Sequence, residues 1–253
     1  MATSIEVVVR RRASGAALDR RLSVAGTYAG LTLIGIVFMF PFFWTVSSSL
    51  KTAAEVYVFP PLWLPATPQW RNYPSVFEII PFTRWFLNSL VVVLLSTVGV
   101  LLSSAVVAYS FARFRYHGRD LLFLVTLATM MLPAEVTLIP QYLLFKELGW
   151  LNSIKPLWVP AWFGGYAFNI FLLRQFILAL PRDMDEAAIV DGASYARVLV
   201  SILIPLMKPA LATVAVINFI AAWNDFLGPL IYLNSPENFT LALGLRYFNV
   251  APG

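Results

Sequence analysis

A glutamate, two alanines and a glycine at fixed spacing form the most informative cluster in this chain. Glu186-Ala187-Ala188 is followed after three residues by Gly192, then after nine more by Ile202, and Ile204-Pro205 closes the stretch. The surrounding residues are written for a short helix that stops abruptly. Pro181 suits a first helical turn, and Asp183, Asp185 and Glu186 complement the positive end of a helix. Ala187 and Ala188 project little side chain, so another surface can approach closely. Gly192 can adopt positive φ and end the helix, and Ser194 can cap the next one. Pro205 and Pro209 then redirect the chain. The pattern predicts a helix–bend–helix knob suited to docking; the blander alternative is an amphipathic helix that only shields a membrane surface.

Glu135 and Asp225 lie where acids are costly. They are the only carboxylates well inside long apolar stretches, each about 14–17 residues from the inner end, or roughly 20–25 Å deep at about 1.5 Å per residue. A carboxylate at that depth of a bilayer must face a cavity or a partner. Trp223, Asn224 and Asp225 offer an indole face beside amide and carboxylate acceptors, which suits a polyhydroxylated ring. These three and Glu135 are therefore candidate lining residues of a solute pathway, against the alternative of a polar cluster that packs helices. Catalytic chemistry is poorly served. His117 stands alone without partners for a metal or a proton relay, and no G-x-x-x-x-G-K-[ST] phosphate cradle occurs. No metal site and no cofactor site are expected on this chain.

The elements that must position these residues are membrane helices. Of 253 residues, 12% are charged and 59% hydrophobic, with a mean hydropathy of +0.75. A soluble domain carries about a quarter charged residues, and so few charges cannot cover a water-facing sphere. Five stretches approach the roughly 20 apolar residues needed to cross about 30 Å of hydrocarbon: residues 24–46, 85–112, 121–145, 156–173 and 209–233. The expected fold is all-α, a polytopic transmembrane helix bundle. The first stretch is too long for the apolar core of a cleaved signal peptide and reads as an uncleaved anchor. Pro133 and Pro140 interrupt the third stretch and Pro160 the fourth. Such breaks are tolerated where protein or a wet cavity satisfies the freed carbonyls.

Charge sets the orientation. With the amino terminus inside, inner segments carry Arg10, Arg11, Arg12, Arg20 and Arg21, then Arg113, Arg115 and Arg119, then Arg174, Arg182, Arg197 and Lys208. The outer side carries half as many basic residues over longer segments, so the positive-inside rule places the amino terminus in the cytoplasm. The pI of about 9.6 then reflects inner loops, and a nucleic-acid partner is not expected. Residues 1–23 read as a basic cytoplasmic tail, 24–253 as the transmembrane domain, and 174–208 as its long inner loop. Residues 51–84, rich in proline, read as a compact irregular lid outside. All eight tryptophans fall on the outer half, as interfacial anchors or as a vestibule that meets a sugar or a protein.

The inner loop resembles the cytoplasmic EAA loop of ABC importer permeases, written EAA, three residues, G, nine residues, I-x-L-P; the departure is Ile204 where leucine is usual. The rest is similar to the maltose-type, carbohydrate branch of those permeases. The residues that carry this are Asn88-Ser89-Leu90, the Ala108–Arg113 run Ala-Tyr-Ser-Phe-Ala-Arg, Ile139-Pro140, Phe171-Leu172-Leu173-Arg174-Gln175-Phe176 and Trp223-Asn224-Asp225-Phe226. The likeness covers nearly everything from about residue 25, and it implies a sixth span beyond Gly253. It also implies a multi-pass subunit of the cell membrane, in contact with lipid, that passes a sugar-like solute. Its partners would be a second, homologous permease, two ATPase subunits holding ATP and Mg, and an extracytoplasmic solute-binding protein. Glu186, Ala187, Ala188, Asp191, Gly192 and Ala193 would couple it to an ATPase cleft, with Glu186 opposite a cationic group. An ion-coupled carrier would instead show internal repeats and broken helices in matching halves, and no repeat stands out. A membrane-embedded enzyme would need acids or histidines clustered at one depth.

Overall fold

The computed structural model describes the backbone of residues 2–250, and the side chains of residues 23–248 apart from Ala134. The side chains of the basic tail, Arg10 to Arg21, lie outside the described residues. Among the described residues the regular structure is entirely helical. The chain folds as two units, residues 1–78 and 79–253.

In the first unit, helix α1 (Ala2–Ser49) contains Ser23–Ser49, long and apolar enough to cross a membrane. Its side chains from Leu31 through Phe43 are largely exposed, as a lipid-facing helix requires. The proline-rich segment after it folds back on the end of α1 through a few specific bonds. Ser47 Oγ donates to Trp63 O and Lys51 Nζ to Leu62 O, both at 2.5 Å. The same ammonium lies 4.2 Å from the centre of the Trp44 ring, and Trp63 packs edge-on against Phe40 and Trp44. Thr52 and Glu55 form a reciprocal capping box on the single turn Ala53–Val56. The Glu55 carboxylate also accepts from the Ala66 amide at 3.1 Å. Backbone donors from Thr52 and Ala66 hold its carboxyl below the usual carboxylate range.

The second unit is organised around α2 (Phe82–Arg113), a second helix long and apolar enough to span. Its buried face mixes small residues, Ser89, Ser96, Gly99, Ser104, Ala105, Ala108 and Ala112, with the larger Trp85, Val92, Val93, Val100, Tyr109 and Phe111. Small residues let neighbouring helices approach closely without a hydrophobic driving force. At Gly99 the approach is so close that an added Cβ would lie 2.5 Å from the Trp162 ring, whose Nε1 donates to Leu95 O. The unit continues with α3 (Arg119–Ala128), α4 (Ala134–Glu147), α5 (Ala167–Ala179), the short α6 (Asp183–Val190), α7 (Lys208–Trp223), α8 (Leu227–Tyr232) and α9 (Leu241–Val250), of which α3, α5, α7 and α9 pack on α2. Val100 of α2, Leu173 and Ile177 of α5, Leu203 of the Leu199–Leu203 turn, Met207 at the N-cap of α7 and Val214 within it form the fully buried centre.

Among the described residues only α1 and α2 contain a single helix long and apolar enough to cross a membrane; counting each bent helix pair as one span gives up to five. The third stretch breaks at Pro133, where Arg119–Met131 and Glu135–Glu147 meet at 100°, whereas Pro140 stays inside α4. Lys155–Ala179 and Asp183–Val190 meet at 78°, as do Tyr195–Leu206 and Lys208–Trp223. The π-helical turn Leu199–Leu203 just before Pro205 fits a proline that supplies no N–H to the turn above it. The fifth stretch, expected to run to Leu233, ends as a helix at Trp223. Just beyond it Asp225 Oδ1 accepts from Gly228 N at 3.2 Å, and α8 begins at Leu227 with Phe226 as its N-cap.

Candidate coupling surface and solute pathway

Local chemistry builds the knob. Helix α6 begins at Asp183 with Arg182 at its N-cap, so Pro181 lies just ahead of the first turn. Asp183, Asp185 and Glu186 occupy that turn, where carboxylates favour the helix dipole. The helix closes with Asp191 N donating to Ala187 O, Gly192 N to Ile189 O and Ala193 N to Ala188 O, at 2.9–3.0 Å. Gly192 takes φ +84°, the left-handed conformation that ends many helices. Ser194 then accepts from Arg197 N and caps Tyr195–Val198. Glu186, Ala187, Asp191 and Gly192 are exposed, while Ala188 and Ala193 are half-buried against the core. Val190 at the tip is 87% exposed.

Beneath this surface the knob is bolted to the end of α2. Arg113 Nε lies 2.5 Å from Asp185 Oδ2, with side chains 7% and 10% exposed. Arg113 also donates to Leu180 O at 3.1 Å, and Arg182 donates to Ala112 O at 3.2 Å. Phe114 packs edge-on between Tyr109 and Tyr195. A cleft of about 390 Å³ opens beside these groups, with Glu186 on its wall. The sequence alone suggests an inner-surface arginine at 113 and a helix-dipole partner at 185; the structure closes both side chains off from solvent. One signal was available. Asp185 shares a helix face with Ala188, three residues on, while Glu186 points elsewhere.

A cavity of about 380 Å³ lies among α2, α5 and α7. Its polar groups are Ser96, Tyr166, Asn169, Asn218 and Asp225. Asn218 Nδ2 donates to Thr97 Oγ1 at 3.0 Å and reaches Ser96 Oγ at 3.4 Å. Of the four sequence candidates, only Asp225 lines this space. Trp223 stacks on Phe219 and meets Phe86 edge-on, and Asn224 Nδ2 turns back to donate to Ile220 O. Glu135 is exposed on the first turn of α4, away from this cavity. Asn169 and Asn218, both buried, were missed; their signal was a lone amide inside an apolar run. Among the described residues no group of three or more histidines and acids is placed to hold a metal.

Residues 99–251 match the family described as binding-protein-dependent transport system inner membrane component. The chain is 31% identical to the diacetylchitobiose uptake system permease protein NgcG of Streptomyces coelicolor, over 93% of this chain and 77% of that protein. It is 35% identical to the arabinooligosaccharides transport system permease protein AraQ of Bacillus subtilis, over 84% and 76%. With the maltodextrin transport system permease protein MdxG of the same organism it shares 32% identity, over 92% and 83%. In three dimensions it resembles a bacterial ABC transporter involved in import of the acidic polysaccharide alginate. That match has a TM-score of 0.79 and 25% identity, covering 93% of this chain and 83% of the other.

Proposed function

The chain belongs to the family of binding-protein-dependent transport system inner membrane components, and from that premise we propose that it is the permease half of an ATP-driven carbohydrate importer whose α6 knob receives the ATPase stroke. As a membrane permease subunit it is not itself catalytic; ATP and Mg belong on two ATPase subunits. A second permease completes the pathway, an extracytoplasmic binding protein delivers the solute, and the amino terminus lies in the cytoplasm. The carbohydrate class comes from the uptake systems in which its relatives are named. It is supported by a cavity whose amides, phenol and carboxylate suit a polyhydroxylated ligand. Asp225 is the pathway residue with the firmest geometric support; Trp223 and Asn224 stand beside it, and Glu135 would act elsewhere along the route.

The observation that carries the coupling reading is one of contrast. An exposed surface of Glu186, Ala187, Asp191 and Gly192, with a bare Val190 at its tip, is mounted on a buried ion pair at the end of the central helix. Movement imposed on the knob reaches α2 through the Arg113–Asp185 pair and the neighbouring Arg182–Ala112 and Arg113–Leu180 hydrogen bonds. The test is solute-stimulated ATP hydrolysis and uptake by the reconstituted complex carrying Gly192→Val or Glu186→Arg. Valine at positive φ costs about 1–3 kcal/mol and destroys the bend. Both variants are expected to lose either ATPase attachment or uptake. Full attachment with unaltered uptake in both would sink the reading.

A further inference from the structure

A second polar hollow, of about 490 Å³, opens at the same end of α2, bordered by Arg115, Arg119, Arg174 and Arg182. Asp120 is the acid on its wall, and Arg119 holds it, with Nη2 at 2.7 Å and Nε at 2.8 Å from Oδ1. Four guanidiniums against one carboxylate leave three positive charges that no acid on the wall offsets. Three of the arginines are fixed in place. Arg174 Nε donates to Phe111 O at 3.4 Å with its guanidinium 4.1 Å from the centre of the Phe123 ring. Arg182 Nη2 donates to Ala112 O, and Arg119 Nη1 to Phe114 O. A guanidinium has five donors, so each keeps several to spare. Among the described residues Arg115 makes no hydrogen bond or ion pair.

The opposite border of the hollow is apolar. Leu121 is 65% exposed and Leu178 40%, and along α3 Leu122, Leu124 and Val125 continue the bare face. Converging guanidiniums beside exposed leucines, at the end of a membrane helix, match an amphiphile that carries its negative charge at one end. We propose that this hollow binds the phosphodiester head group of an anionic phospholipid, with its acyl chains laid along α3. A soluble phosphate would answer the charge but leave the leucines bare. The bound lipid bridges the ends of α2, α3 and α5 immediately beside the coupling knob.

The intact importer complex, purified in neutral detergent, is supplied with phosphatidylglycerol, phosphatidylcholine or inorganic phosphate and examined by native mass spectrometry and thermal unfolding. Phosphatidylglycerol is expected to remain bound and raise Tm; phosphatidylcholine and inorganic phosphate are expected to do neither. R115Q should weaken phosphatidylglycerol binding about fivefold, and R115Q/R182Q by a similar factor again, the scale of one basic group near an anionic lipid surface. Arg115 supports no bond in the fold, so the single variant assembles and decides the matter if the double one does not. Equal stabilisation by inorganic phosphate would identify a free-anion site and overturn the proposal. So would equal retention of phosphatidylcholine, unaltered binding by R115Q, or lipid binding only after the ATPase subunits are stripped away.

Discussion

The Arg113 guanidinium and the Asp185 carboxylate are both nearly closed off from solvent, and their contact is imperfect. Nε approaches Oδ2 at 2.5 Å, yet the N–H is not aimed to form a hydrogen bond, and Asp185 Oδ1 has no partner. Desolvating two charges is repaid only when geometry and secondary hydrogen bonds are good. The pair is therefore worth little in net stability, although losing one member is expensive. Asp185→Leu strands a buried cation and should destabilise the assembled protein by about 3–5 kcal/mol. Arg113→Leu/Asp185→Leu should cost clearly less than either single change, because no charge is left unpaired. Thermal unfolding of the three variants forms the double-mutant cycle that measures this. Strict additivity would mean that the two side chains do not interact.

At the scale of elements, a small motif in the 50–71 segment responds to acid. The Glu55 carboxylate caps Ala53–Val56 and holds the Ala66 amide, and these donors depress its pKa. A group whose folded pKa is lowered contributes fully above its unfolded pKa, and that contribution is lost as pH falls through the folded value. Protection of the Ala66 amide, corrected for intrinsic exchange, should therefore decline in the acid range below the ordinary carboxylate pKa. Glu55→Gln should remove that pH dependence while lowering protection at neutral pH. Elements built from local rules were the legible ones. The α6 stop at Gly192, the Ser194 cap and the break at Pro133 each follow from one residue's backbone preference. Illegible features required partners distant in sequence. Asp185 finds Arg113, and Asn218 finds Ser96 and Thr97, only after the helices have packed. The helix end at Trp223 was equally hidden, since it falls inside an apolar run, with Asp225 bonded to the Gly228 amide just beyond it.

At the scale of the whole molecule, α2 serves as a ruler between its two ends. Its 32 residues span about 48 Å at about 1.5 Å each, more than a bilayer with its head groups at about 40–45 Å. Near the first turn, Trp85 Nε1 donates to Pro236 O, and Arg84 and Asn88 both donate to Glu237 O. Near the last turn, Arg113 holds Asp185 and the knob. Residue 237 and the knob tip must then face opposite aqueous phases if α2 crosses the membrane, and the arginine bias is the ground on which the proposed orientation, with the knob in the cytoplasm, rests. The chain has no cysteine, so single cysteines can report this with a membrane-impermeant thiol reagent. Glu237→Cys should react in right-side-out vesicles. Val190→Cys, at a position 87% exposed in this chain, should react only in inverted vesicles and only once the ATPase subunits are removed. Reaction of Val190→Cys from the outer face would reverse the orientation. Equal labelling of Val190→Cys with the ATPases attached would leave the knob without its docking partner, and the coupling role would fall.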